Sequence, residues 1–169
     1  DADLYEQLQV LRTIGHKNRD EVVAWSGNSR LDTVQAAILQ VKMKYLKSWT
    51  EKRRAHACFY QKELSGILGL KLPTDRPIER AVYHTFVVQA DRRDELKLFL
   101  EGRGIGTVIH YPIPIHLQAT ASGLNYKYGS FAVTEAQADR ILSLPVYPEL
   151  QVDDLRYIVE SIQTFYKRH

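Results

Sequence analysis

A chain of 169 residues, 44% hydrophobic and 25% charged, has material for one ordinary core with an appendage rather than for two full domains. Its net charge of +3 is scattered among acidic residues, so nucleic-acid binding is not implied, and no apolar run reaches the ~20 residues of a membrane span. The single cysteine, Cys58, cannot form an internal disulfide and fits a reducing, cytoplasmic compartment; set between Ala57 and Phe59, it reads as a small helix-packing residue rather than a nucleophile.

Asp1 and Asp3 ahead of Leu4, Leu8 and Leu11, with Gly15 as a stop, predict a first helix. Residues 16–30 are polar and broken by Gly27, which predicts an irregular segment. From Leu31 to Leu64 apolar residues recur at Val34, Ile38, Val41, Tyr45, Trp49, Ala57 and Tyr60, close to the helical period. That predicts one helix about 50 Å long at 1.5 Å per residue, of the kind that bridges two bodies, with Ser48–Glu51 as the place for a kink. Gly66, Gly69, Pro73 and Pro77 mark its exit.

Ala81–Ala90 alternates as a strand, with Val82, His84, Phe86 and Val88 on one face and Tyr83, Thr85, Val87 and Gln89 on the other. Arg92–Arg103 predicts a short helix closed by Gly102 and Gly104, and Ile105–Tyr111 a second strand. Strand, helix and strand in that order describe a two-layer α/β unit. Gly123–Gly129 is loop-like, Thr134 and Gln137 have the spacing of a capping box before Ala138–Leu142, and Ser143–Pro148 is expected as an edge strand because proline cannot donate to a central ladder. The last helix follows Asp153 or Asp154, with Leu155, Ile158, Ile162 and Phe165 on its apolar stripe. The expected division is 1–30, 31–64 and 65–169.

Two stretches carry chemistry. The first, Trp25–Leu39, joins a polar turn with an amide and a guanidinium to the start of the long helix. Asn28 has two readings there, a turn residue or an amide donor to a phosphate, and Arg30 either meets an anion or pairs with Asp32. The second, Gly104–Gln118, ends a strand in His110 and Tyr111 and continues through Pro112 and Pro114 to His116. Two histidines with no carboxylate or thiol between them do not make a zinc site, but a proline-stiffened rim could present imidazole and phenol groups to a ligand at a reduced ordering cost. His84 is either a satisfied core histidine or a ligand contact. Gly102–Gly106 lacks the spacing of a phosphate loop and leads into a strand, so that nucleotide-binding motif is excluded.

Asn28, Arg30, Gln35, Ala36 and Ala37 in register, together with the run Ile109-His110-Tyr111-Pro112-Ile113-Pro114-Ile115-His116, make the chain resemble the DegT/StrS-type family of nucleotide-sugar aminotransferases, which use pyridoxal phosphate (PLP). The resemblance runs from Asp1 to about Phe165. It implies an α/β fold, the C-terminal small domain of a fold-type I PLP-dependent aminotransferase with its long connecting helix, and a homodimer with active sites at the interface. It implies that Asn28, with Arg30 beside it, reaches the PLP phosphate of the other subunit, and that His84, His110, Tyr111 and His116 meet the sugar nucleotide. The reaction implied passes an amino group from glutamate to a nucleotide-diphosphate keto-sugar, and the Ile109–His116 phrase is most similar to members acting on dTDP-linked 3-keto-6-deoxyhexoses. No lysine stands in the family's Schiff-base setting; Lys17 follows Gly15 and His16 in a polar loop beyond that region, so these residues alone are expected to be inactive. Three alternatives stay open: a relative with histidine in place of that lysine, which dehydrates sugars, a non-catalytic regulatory relative, and an interaction domain that dimerises through the long helix.

Overall fold

The computed structural model of the protein describes residues 1–167. By packing the chain forms two units, Asp1–Leu46 and Lys47–His169, and the division falls inside the long helix.

In the first unit, helix α1 spans Ala2–Leu11 and is capped by the Asp1 carboxylate, which accepts from the N–H groups of Asp3 and Leu4. The chain then doubles back through two isolated antiparallel bridges, Thr13 with Asn28 and His16 with Val22. Gly15 makes this possible: its φ is +77°, and a Cβ there would lie 1.7 Å from the Ala24 carbonyl oxygen. Asn18 closes the tip, its Oδ1 accepting from the N–H groups of Asp20 and Glu21.

Helix α2 runs unbroken over Thr33–Glu63, 31 residues, with no interruption at Ser48–Glu51. Ser48, Trp49 and Thr50 are only middling helix formers, but Leu46 and Lys47 before them and Glu51–Arg54 after them are good ones, and no proline or glycine is present to break the helix. Its apolar stripe has two fates. Leu31, Val34, Ile38 and Val41 are exposed, whereas Ala57, Tyr60 and the following Leu64 are fully buried in the second unit. Cys58 is exposed, so it does not pack as a small core residue.

The second unit is built on a three-stranded antiparallel sheet in the order β1 (Leu70–Lys71), β2 (Phe86–Ala90), β3 (Ile141–Leu144). Strand β2 is central, pairing Leu70 with Ala90 on one side and Phe86 with Leu144 on the other. Helices α3 (Arg93–Glu101) and α5 (Val152–Lys167) pack together, α5 burying Leu155, Ile158, Ile162 and Phe165 as its periodicity predicts. Helix α4 (Ala132–Ala138) precedes β3. The core gathers Tyr60, Leu64, Phe86, Val88, Leu96, Leu100, Leu142 and Ile162.

Three further expectations change. The strand over Ala81–Ala90 begins only at Phe86, because Tyr83 adopts φ +50° and breaks the alternation; Tyr83 is therefore buried and His84 exposed, not on the face of Phe86. Ile105–Tyr111 keeps strand-like alternation but forms one rung, the Val108–Ser143 bridge, since the next rungs in that register would meet Ile141, whose carbonyl accepts from Arg93, and Pro145, which has no N–H to donate. The short helix lies at Ala132–Ala138, not Ala138–Leu142, because the apolar run Ile141–Leu144 pairs with the central strand.

The segment before β2 is fixed by a polar knot. Asp75 accepts from the Tyr83 hydroxyl at 2.6 Å and the Ala81 N–H at 3.1 Å, with Arg54 at 3.6 Å, and Gln61 donates to Tyr83 Oη and to the Pro73 carbonyl. The Tyr83 hydrogen bond, with the Ala81 and Arg54 contacts, outweighs burial and holds the Asp75 carboxyl below its ordinary value of 3.8. A depressed folded-state value means that the ionised form stabilises the fold, a contribution complete above about pH 4 and lost as pH falls through the lowered value. Thermal melts from about pH 5 to about pH 2 are expected to show a shallower acid decline in Asp75→Asn than in the parent, at lower starting stability. Parallel declines would remove Asp75 from the acid response.

Candidate functional site

The candidate residues fall into two clusters, one in each unit. In the first unit, Asn28 pairs with Thr13 and opens the turn that leads into α2. Its Oδ1 accepts from the Arg30 N–H at 3.3 Å, and the Ser29 N–H donates to the Arg12 carbonyl at 2.9 Å. The side-chain oxygen thus shapes the turn and the exposed residue keeps its amide N–H groups as donors. Asn28 lines a recess of about 550 Å³ with Arg12, Ser26, Gly27, Ser29, Leu8 and Leu11. Arg30 lines a different one, about 260 Å³, with Thr13, Ile14, His16, Asn18 and Arg19. The two residues expected together therefore face separate hollows. The Asn28 amide, the Ser29 hydroxyl and the Arg12 guanidinium around this recess are neutral and cationic donors, a set that suits a phosphate, whereas the Ser26 hydroxyl donates to the Leu11 carbonyl at 2.7 Å. Helix-start anion sites use the same logic.

In the second unit, His84 is exposed and its carbonyl accepts from Arg53 Nη1 at 3.1 Å. The same nitrogen reaches the Val146 carbonyl at 2.5 Å, so Arg53 ties the Tyr83–His84 turn to the extended segment after β3. His110 Nδ1 meets Ser143 Oγ at 2.7 Å. Tyr111 follows with φ +61° and is 85% exposed. His116 differs from the others: its side chain is 7% exposed and its Nε2 lies 2.8 Å from Glu135 Oε1. The ring packs at 4.8 Å from that of Phe131, which packs at 5.0 Å from Tyr126. His116 is turned into its own loop.

Arg53, Ser143 and Glu135 are the polar partners that the sequence reading passed over. Arg53 looks like one more charge on an exposed helix face, and Ser143 like a strand residue. Glu135 had a visible signal, an acidic residue just after a short-helix start, but the capping-box spacing points to Gln137 instead. A further recess of about 580 Å³, lined by Arg54, Cys58, Gln61, Asp75 and Tyr83, contains none of the candidates. Its polar side chains are bonded largely to one another, which marks structural bracing rather than a ligand site. Among the described residues no group of histidine, cysteine and carboxylate side chains could hold a metal ion, and no helix is long and apolar enough to cross a membrane.

The fold is that of the C-terminal part of a fold-type I PLP-dependent aminotransferase, an α/β unit reached through a long helix. The chain belongs to the DegT/DnrJ/EryC1/StrS aminotransferase family, whose pattern matches residues 1–163. Members of this family are PLP-dependent. The chain is 40% identical over 99% of its length to a pleiotropic regulatory protein of Geobacillus stearothermophilus, covering 45% of that protein. It is 36% identical over 99% of its length to dTDP-3-amino-3,4,6-trideoxy-alpha-D-glucose transaminase of Streptomyces venezuelae, covering 44% of it. The crystal structure of S. venezuelae DesV with a ketimine intermediate superimposes with a TM-score of 0.92 over all of this chain and 46% of that one, at 36% identity. The chain thus spans less than half the length of the relatives it matches.

Proposed function

We propose that the chain is the C-terminal part of an aminotransferase that moves an amino group from glutamate to a nucleotide-diphosphate keto-sugar, a dTDP-linked 3-keto-6-deoxyhexose, in a cytoplasmic homodimer. The observation that carries this reading is the 36% identity along nearly the whole chain to a transaminase named for a dTDP-amino sugar. In this reading residues 1–30 complete a cofactor-binding domain, 31–64 connect and 65–169 form the small domain. The Schiff-base lysine lies outside these residues, which alone turn nothing over.

The residue roles are those the family resemblance implies, and each suits the chemistry of its side chain. Asn28 would donate its amide N–H to the PLP phosphate, while Arg30, which lines a separate recess, would add positive charge near that site rather than touch the same anion. When bound, PLP supplies the electron sink for amino transfer. His84 and His110 offer imidazoles to the sugar nucleotide, and Tyr111 a phenol on a short arm stiffened by Pro112 and Pro114. His116 contributes from within the loop.

The test separates the two half-reactions of the complete enzyme. Tyr111→Ala is expected to raise KM for the keto-sugar about tenfold, a loss of about 1.4 kcal/mol, while the glutamate half-reaction and PLP content stay within about twofold of the parent. An equal fall in both half-reactions would put Tyr111 in the shared catalytic site instead. A second reading rests on the 40% identity to a pleiotropic regulatory protein: a relative that binds PLP or sugar nucleotide without turnover. PLP retention with no amino transfer from glutamate to any dTDP- or UDP-linked keto-sugar would favour it.

A further inference from the structure

Between Tyr111 and Phe131 the chain makes an excursion whose regular structure is two 3₁₀ turns, Ile115–Leu117 and Ala119–Leu124. Only Ala121 is buried in it. A loop of this length with so small a core of its own must be fixed by something else or remain mobile. One side chain ties three points of it together. Glu135, 4% exposed, accepts through Oε1 from His116 Nε2 at 2.8 Å and from the Phe131 N–H at 3.1 Å, and through Oε2 from the Gly129 N–H at 2.7 Å. Burial alone would push this carboxyl up, but the two backbone N–H groups and His116 outweigh it and hold the group below its ordinary value of 4.5. Three donors aimed at a buried carboxylate meet the condition under which burying its charge is tolerated.

The consequence reaches Tyr111. Upstream, His110 is held by Ser143 Oγ at 2.7 Å. Downstream, His116 is held by Glu135, five residues from Tyr111 along a segment whose φ angles are locked at Pro112 and Pro114. The exposed phenol therefore stands between two anchored imidazoles.

We propose that Glu135 is a positioning residue for the substrate rim, a buried carboxylate that gathers His116, Gly129 and Phe131 into one knot and so holds the loop that presents Tyr111. The proposal rests on the reading of Tyr111 as a sugar contact. Glu135 touches no substrate in this arrangement. Its effect passes through His116 and the loop backbone, and His116 accordingly serves as a bolt rather than a direct ligand.

The test uses the complete enzyme, a dTDP-linked 3-keto-6-deoxyhexose and the variants Glu135→Ala and Glu135→Gln. Alanine removes every acceptor and leaves the His116 and backbone donors unpaired, whereas glutamine keeps one carbonyl oxygen for them. Expected for Glu135→Ala are amide exchange over 112–131 faster by at least about tenfold and a KM for the keto-sugar raised about tenfold, with the glutamate half-reaction within about twofold of the parent. Glu135→Gln is expected to recover part of both effects, since its carbonyl oxygen can keep the His116 and Phe131 donors while its NH2 faces the Gly129 N–H. Unchanged exchange in Glu135→Ala overturns the knot, and a parallel loss of both half-reactions reduces Glu135 to general stability. A loosened loop with unchanged KM overturns the positioning role if Tyr111→Ala still raises KM. If Tyr111→Ala leaves KM unchanged as well, it is the rim reading that fails.

Discussion

Phe86→Ala is expected to destabilise the second unit by about 3–5 kcal/mol, the range for emptying a large buried aromatic site. Phe86 is fully buried on the central strand, its ring 5.1 Å from Tyr60 and 5.9 Å from Tyr83, and it pairs across the ladder with Leu144. Its removal loses contact with α2, with the Tyr83 turn and with β3 together. Tyr60 cannot swing in to fill the void, because its hydroxyl donates to the Pro145 carbonyl at 2.9 Å. Against a total of about 5–15 kcal/mol for a domain, such a loss takes a large share of the stability. Denaturant midpoints of the parent, Phe86→Ala and the surface control Leu68→Ala read it directly, Leu68 being 91% exposed and expected to change stability by less than about 0.5 kcal/mol. A Phe86→Ala loss below about 1 kcal/mol would mean that the cluster collapses around the vacancy and that the core rests elsewhere.

What the sequence disclosed and what it concealed divide along range. Helix α2 was legible because its apolar repeat persists for some thirty residues, and α5 because Leu155, Ile158, Ile162 and Phe165 all fall on one stripe. The polar turn with Asn28 and the Pro-rich run after His110 were visible as local composition. Pairing across the chain was not. Ile141–Leu144 forms β3 because β2 needs a partner, and nothing within that tetrapeptide states where the partner is. The sheet's first strand, two residues at Leu70–Lys71, is shorter than any periodicity can register.

The same limit governs the site residues. A left-handed Tyr83 turns His84 outward, and Tyr83 shows no glycine-like signal to announce it. His116 looked like a rim residue because its neighbours are prolines, but its ring is directed by Glu135, nineteen residues on. Arg53 reaches backbone carbonyls thirty-one and ninety-three residues away, and no local motif encodes such a tie. Hydrogen bonds from long side chains to distant carbonyls fill buried needs that exist only once the fold has formed.

Asn28 allows the sharpest test of the cofactor reading, because its two roles predict opposite orders of damage. As a turn residue it acts through Oδ1, which accepts from the Arg30 N–H; aspartate preserves that acceptor and alanine deletes it. Were the turn its whole role, Asn28→Ala would be the worse variant. As a phosphate donor it acts through the amide N–H groups: alanine deletes a hydrogen bond to a charged partner worth about 1.5–3 kcal/mol, or about 10- to 100-fold in affinity, while aspartate deletes the same bond and sets a negative charge against the phosphate. The complete enzyme is therefore expected to lose PLP on dialysis in the order Asn28→Asp, then Asn28→Ala, then parent, read from cofactor absorbance, with melting temperatures of the cofactor-stripped proteins showing the reverse order for the two variants. Normal PLP retention in Asn28→Asp with a lowered melting temperature in Asn28→Ala would confine Asn28 to the turn and leave the Arg12 and Ser29 side of its recess to account for any phosphate.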